Sequence, residues 1–192
     1  VLRWANSAWY ARGVEIGNLH DAVIRLGRDA VLNLALGTSA AQALQLPTQG
    51  TLGSLALWRE AMLTADLAAV LGRELGWPQA RIGIAHLGGL LHNLGLFLLG
   101  HEYAQAHALL ERIAAANPAV DLVRIETFTL GIDHILIGAW LLSEWAVPES
   151  VVIAVREQRN TGYMGLDADA AGLVCLAKRL IARIGWISNS DG

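Results

Sequence analysis

The sequence predicts an all-α fold, a multi-helix bundle, and three observations carry that prediction. The chain has 192 residues, 54% of them hydrophobic and only 16% charged, and alanine and leucine, both strong helix formers, predominate. No run alternates apolar and polar residues long enough to make a half-buried strand. The apolar segments are separated by glycine and proline at helix-length intervals.

The elements follow in chain order. Residues 19–36, "LHDAVIRLGRDAVLNLAL", put Val23, Leu26, Ala30 and Leu34 on one helical face. Residues 37–50, "GTSAAQALQLPTQG", read as a polar boundary between an amino-terminal part, 1–50, and a main helical part, 51–192. Residues 52–75 form a long amphipathic helix stopped by Gly76 and Pro78. A helix buried on all sides is expected over 79–99, and another over 101–116 that ends at Asn117-Pro118. Asp133 opens an apolar helix to about Trp145. Pro148 suits the first turn of the next, which runs to about Arg159. The loop "NTGYMGLDAD" follows, and Asp167 or Asp169 is expected to cap a last helix over 169–185.

Composition excludes several functions. A net charge of −3 argues against binding nucleic acid or an anionic membrane through phosphates. The one cysteine, Cys175, cannot form an internal disulfide, fits a reducing compartment, and in "AGLVCLA" reads as a buried inert thiol. "VLRWANSAWYARG" lacks the apolar core of a signal peptide, and Val1 in place of an initiator methionine reads as the start of a fragment. Residues 82–99 approach bilayer length, but His86, His92 and Asn93 near the midplane would cost a few kcal/mol. A buried helix in a bundle is the expectation, with no membrane partner. There is no phosphate-cradling glycine loop, nucleophile elbow or redox cysteine pair.

Imidazoles and acids on packed helices are what a metal site in a bundle core needs, since neutral imidazole and carboxylate both ligate divalent ions. Glu60, His92, Asn93, Asp133 and His134 are the candidates. Residue type alone does not separate such ligands from ordinary core histidines. The order of motifs does. "LRWANSAWY" resembles the "LRLVNSA-x-Y" segment of the HD-related output domain (HDOD) family, with Asn6, Ser7 and Tyr10 in place. The 19–36 segment is similar to its "LG-x-x-x-L-x-N-L" helix, including Ala22, Leu26, Gly27 and Asn33. "LWREAMLTADLAAVLGRELG" resembles "LWRHSLATA", and "AHLGGLLHNLGLFLL" resembles "AFLAGLLHDIGKLVL". "ETFTLGIDHILIGAWLLSEWAVPESVVIAVREQ" and "LVCLAKRLIARIG" are similar to the family's "E…LG-x-DH…GA-x-LL…HH" and "LVHLADRLAR" segments. Six segments in order identify the chain with this divergent branch of the HD phosphohydrolase superfamily.

The resemblance implies an HD-domain-like bundle with a smaller amino-terminal helical lobe. It also implies a cytoplasmic bacterial signal-transduction domain that works through contacts with other signalling proteins, or domains of the same polypeptide, and that can form a homo-oligomer. The positions that ligate metal in catalytic relatives are changed here. Glu60 stands for the histidine of "LWRHS", and His92-Asn93 stands for the His-Asp pair. Gln158 and Arg159 replace the later histidine pair, and Lys178 replaces the aspartate of "LADRL". Asp133 and His134 keep the "DH". Asn93 offers a neutral oxygen, and an ammonium offers no lone pair. At about 4 Å from a divalent ion, the lysine charge would be repelled by roughly 8 kcal/mol at an effective dielectric of 20.

A non-catalytic domain with a degenerate metal site and no cofactor is therefore expected, either with Lys178 or Arg159 reaching into the former metal cavity to pair with Glu60 or Asp133, or with Lys178 snorkelling to the surface beside Arg179. Two alternatives stand beside it. One is a metal-dependent phosphohydrolase or phosphodiesterase with a displaced site on His92, Glu60, Asp133 and His134. The other is a nucleotide or small-anion sensor that uses the same cavity without chemistry. Arg156, Arg159, Lys178, Arg179 and Arg183 could serve such an anion, or form a solvated face. His101 and His107 read as surface residues and His86 as core. Trp4, Trp9, Trp140 and Trp145 read as core fillers in a chain with only 2 Phe and 3 Tyr.

Overall fold

The structure, a computed structural model, describes residues 19–26, 31, 35, 44 and 46–183. Trp4, Asn6, Ser7, Trp9, Tyr10, Gly27 and Asn33 lie outside the described residues. The chain divides into two compact units, Val1–Gln42 and Ala43–Gly192. In the first, α1 spans Leu19–Leu26. The second holds α2 (Ser54–Glu74), α3 (Gln79–Leu91), α4 (Leu94–Glu102), α5 (Ala104–Ala116), α6 (Leu122–Leu130), α7 (His134–Glu144), α8 (Glu149–Arg156) and α9 (Ala168–Arg183). Among the described residues every regular element is an α-helix, as the sequence predicts.

Two kinds of core hold the second unit together. Toward α2, α3 and α9 it is a seam of small residues: Ala68, Ala85, Ala170 and Ala177 pack with Leu173, and Trp77 closes the side. Alanines let three helix axes come close without voids. Toward α4, α5 and α6 it is large: Leu57, Leu96, Phe97, Leu99, Leu110 and Ile125, with Trp58 tilted on Phe97 at 5.1 Å between ring centroids. Burying each of these leucine-sized side chains contributes about 1.5–3 kcal/mol.

Three features differ from expectation. The buried helix of 79–99 is two helices, broken at His92 and Asn93, where Asn93 takes φ −98° and ψ 7° before α4 begins. No helix is expected over 117–132 from the sequence, yet α6 lies there. Asp121 caps it by accepting from the Val123 N–H at 3.0 Å, and Gly131 ends it in the left-handed region at φ 76°. Asp167 and Asp169 do not simply cap the last helix. Their carboxylates clasp Arg81 at 2.9 and 2.5 Å and tie the start of α9 to the start of α3.

Other side chains change place as well. His107 is buried, not superficial, with Nε2 3.1 Å from the Leu52 carbonyl. Trp140 and Trp145 are exposed rather than core, Trp140 at 58%. His86 and Cys175 are buried, as read. The stretch Gln79–Glu102 is apolar and long enough to cross a bilayer, and 83% of its most apolar window is buried within the protein.

Close backbone approach fixes the break between α3 and α4. A Cβ on Gly89 would stand 2.8 Å from the Ala65 backbone of α2, and one on Gly95 would stand 1.9 Å from the His134 carbonyl oxygen of α7. Gly138 on α7 faces Gly95 across the same crossing. A Gly95→Ala substitution must therefore push α4 off α7, and overpacking of this kind costs about 3 kcal/mol. Gly83, in α3, has open space where its Cβ would be. There alanine should stabilise by about 0.5–1 kcal/mol through helix propensity. Urea unfolding of the two variants against the parent checks both signs.

Candidate functional site

The helix break places a polar cluster at the floor of a cavity of about 590 Å³. His92 is fully buried, and its Nδ1–H donates to the Gly89 carbonyl at 2.6 Å, which fixes the ring against the last turn of α3. Gln158, 1% exposed and just beyond α8, donates its amide NH2 to the His92 carbonyl at 3.1 Å and to the Val155 carbonyl at 2.9 Å. One side chain thus ties the carbonyl at the end of α3 to one in the last turn of α8. The Gln158 Oε1 accepts from the Lys178 ammonium on α9. Asn93 donates its amide to Glu60 Oε2 at 3.2 Å, and Glu60 Oε1 stands 3.6 Å from His92 Nε2.

Glu60, His92, Asn93, Gln158 and Lys178 therefore converge from α2, the α3–α4 break, the end of α8 and α9. The expected pairing of a cation with Glu60 or Asp133 is met differently. Lys178 hydrogen-bonds Gln158 and acts on Glu60 through its charge. Arg159 instead holds Asp121 at 2.5 Å. Asp133 is not in the cluster, because its carboxylate caps α7 by accepting from the Leu136 N–H at 2.9 Å. His134 lines the cavity but is engaged by Glu126, whose Oε2 lies 2.7 Å from Nδ1 and also accepts the His134 backbone N–H at 3.2 Å.

The cluster has a defined charge state. Burial pushes the Glu60 carboxyl up, whereas His92 when protonated, then the Lys178 charge and the Asn93 amide, pull it down, and the net direction is down. His92 is driven below the ordinary histidine value by burial first and by Lys178 second. We take the ring as neutral and Glu60 as ionised at pH 7, so Lys178 and Asn93 are the groups that keep Glu60 charged. With its proton on Nδ1, His92 turns the lone pair of Nε2 toward a carboxylate oxygen, and this buried atom has no hydrogen-bond partner. Burial lowers Lys178 from 10.5 to about 8, against the pull of Glu60.

A divalent metal does not fit these residues. His92 Nε2 and Glu60 are oriented as two ligands would be, with the ring anchored through its other nitrogen. The remaining positions are spent: Asn93 presents its NH2, Asp133 caps a helix, His134 binds Glu126, and Lys178 brings an ammonium. No group of three or more His, Cys, Asp or Glu among the described residues could hold a metal ion.

Two contributors escape a residue-by-residue reading. Glu126 is fully buried and orients His134, and its only signal was its place in "ETFTLGIDH", eight residues earlier. Asp121 gave no signal at all, since in "NPAVD" it reads as a loop acid.

A helical bundle with a broken core helix, and a histidine-led polar cluster at the break, defines a domain of the HD type. The chain belongs to the HDOD domain family, whose model matches residues 1–161. A solved protein of Marinobacter aquaeolei VT8, named as a candidate in signal transduction, is 33% identical with a TM-score of 0.80, covering 100% of this chain and 43% of that one. A solved candidate phosphohydrolase of Shewanella amazonensis SB2B is 26% identical with a TM-score of 0.75, covering 98% of this chain and 65% of that one. An uncharacterised protein of Treponema pallidum (strain Nichols) is 29% identical over 160 residues, 83% of this chain and 30% of that protein. The chain spans less than half the length of the Marinobacter and Treponema proteins.

Lys178 is the sole lysine in the sequence, so its titration can be followed without ambiguity. Its Cε resonance in ¹³C-lysine-labelled protein should titrate near 8, and Glu60→Gln, by removing the anion that supports its charge, should move the midpoint lower still. Between about 8 and 10.5 the unfolded chain holds the proton that the folded one has lost. The contribution of Lys178 to stability therefore rises with pH across that window.

Proposed function

We propose that this domain is a regulatory module of bacterial signal transduction that carries no metal and performs no hydrolysis, acting in the cytoplasm through contacts with other signalling proteins or with domains of its own polypeptide. The observation that carries this reading is the position of Lys178. Its ammonium lies against Gln158, next to an ionised Glu60 and a buried His92, where catalytic HD domains need a carboxylate to hold a cation. A covalently attached charge neutralises Glu60 without the open coordination position that hydrolysis of a phosphoester requires. The kinship with a signal-transduction candidate at 33% identity supports the same reading.

Two observations favour the phosphohydrolase alternative: buried His92 Nε2 has no hydrogen-bond partner and faces Glu60 Oε1 at 3.6 Å, and a Shewanella relative is named as a candidate phosphohydrolase. Metal analysis separates the two. Protein purified without chelator should carry well under 0.1 equivalent of transition metal and should show no phosphodiesterase activity with added Mn²⁺. Stoichiometric metal that His92→Ala removes would sink the proposal. The paired substitution Asn93→Asp with Lys178→Asp, which supplies two carboxylates and removes the cation, should raise metal uptake above the parent.

A further inference from the structure

Above the polar cluster the cavity continues, and its wall is more cationic than the floor needs. Arg159, Lys178 and Arg179 line it against two carboxylates, Glu60 and Asp121. Both carboxylates are locally engaged: Asp121 Oδ2 by Arg159 at 2.5 Å and its Oδ1 by the Val123 N–H, Glu60 by Asn93 and by the charge of Lys178. Arg179 is exposed at the cavity and has no ion pair among the described residues. Lys178 has given one of its three donors to Gln158.

The lining also includes four leucines, Leu52, Leu57, Leu96 and Leu122. His134 lines the same cavity. Its ring is set by the fully buried Glu126 through Nδ1, which leaves Nε2 as the polar ring atom available to the cavity. The same Glu126 oxygen also accepts the His134 backbone N–H at 3.2 Å, so one buried carboxylate both completes the cap that Asp133 begins at the Leu136 N–H and sets the ring. A volume of about 590 Å³ falls within the range of small-molecule sites.

We propose that this cavity is a metal-independent receptor for a small organic oxyanion, its charged group held by Arg179 and Lys178, its position read by His134, and its organic body laid on the four leucines. This rests on the metal-free reading above, because a divalent ion at Glu60 would compete with Lys178 for the same space.

The test is calorimetric titration and thermal shift of the purified protein in EDTA at constant ionic strength, with phenyl phosphate, phenylacetate and inorganic phosphate as probes. At least one organic probe should bind saturably and raise the midpoint, and inorganic phosphate should bind at least tenfold more weakly. The preference between phenyl phosphate and phenylacetate assigns the oxyanion. Arg179→Ala, an exposed substitution that leaves the core intact, should weaken binding at least tenfold, and His134→Gln should do the same while retaining the parent's helical circular dichroism. Saturable binding that Arg179→Ala and His134→Gln leave unchanged would overturn the proposal, as would the absence of binding by either organic probe. If binding appears only with added Mn²⁺, both this proposal and the metal-free reading fall. No binding in a protein that also retains no metal removes the receptor alone.

Discussion

Contact between backbones at Gly95 is the constraint on which the site depends. Where α4 crosses α7, neither helix has a side chain to hold them apart, and the space a Cβ would need is taken by the His134 carbonyl oxygen. That approach draws α7 against the α3–α4 break, so His92 and Asn93 on one side and His134 on the other reach the same neighbourhood. Gly89 does the equivalent work toward α2 and brings Glu60 within reach of Asn93. A core built to interior packing density does not deform by fractions of an ångström to admit a methyl group. The polar cluster is thus placed by small residues that carry no chemistry themselves.

Once placed, the cluster is organised by electrostatics in a dry setting. An ionised Glu60 needs a cation or several donors, because an isolated carboxylate in a low-dielectric interior is costly. Catalytic HD domains are expected to meet that need with a metal. Here Asn93 contributes a neutral donor and Lys178 a tethered charge, and Gln158 links the lysine to the open end of α3. The residues at 93 and 178 are coupled through Glu60 for this reason. With Lys178 present a second carboxylate at 93 would lack space for a metal, and with Asn93 present a carboxylate at 178 would leave Glu60 without a counter-charge.

Much of this was legible in the sequence, and the limits have physical causes. The helical class and most helix positions follow from punctuation and composition, because caps and breakers act locally. The break at His92–Asn93 was hidden by an unbroken apolar run: hydrophobicity reports burial, while the break is made by a side-chain-to-carbonyl bond three residues back and by a glutamine 66 residues away. The convergence of Glu60, His92, Asn93, Gln158 and Lys178 followed from motif order, but not who pairs with whom. Arg159 and Lys178 looked interchangeable as cations, yet one faces Asp121 on the rim and the other Gln158 on the floor. Asp133 looked like a ligand because it precedes a histidine, and an aspartate before an apolar helix is equally the mark of an N-cap.

The roles of Asp133 and Glu126 bear on what the fold keeps. Two acids flank the loop at Gly131, and they divide its work: Asp133 caps α7, and Glu126 at zero exposure orients His134. Glu126 Oε2 serves both the His134 ring and its backbone N–H, while Oε1 is left unpaired at roughly 1–3 kcal/mol. The same helix carries Trp140 on its exposed face, two turns from His134.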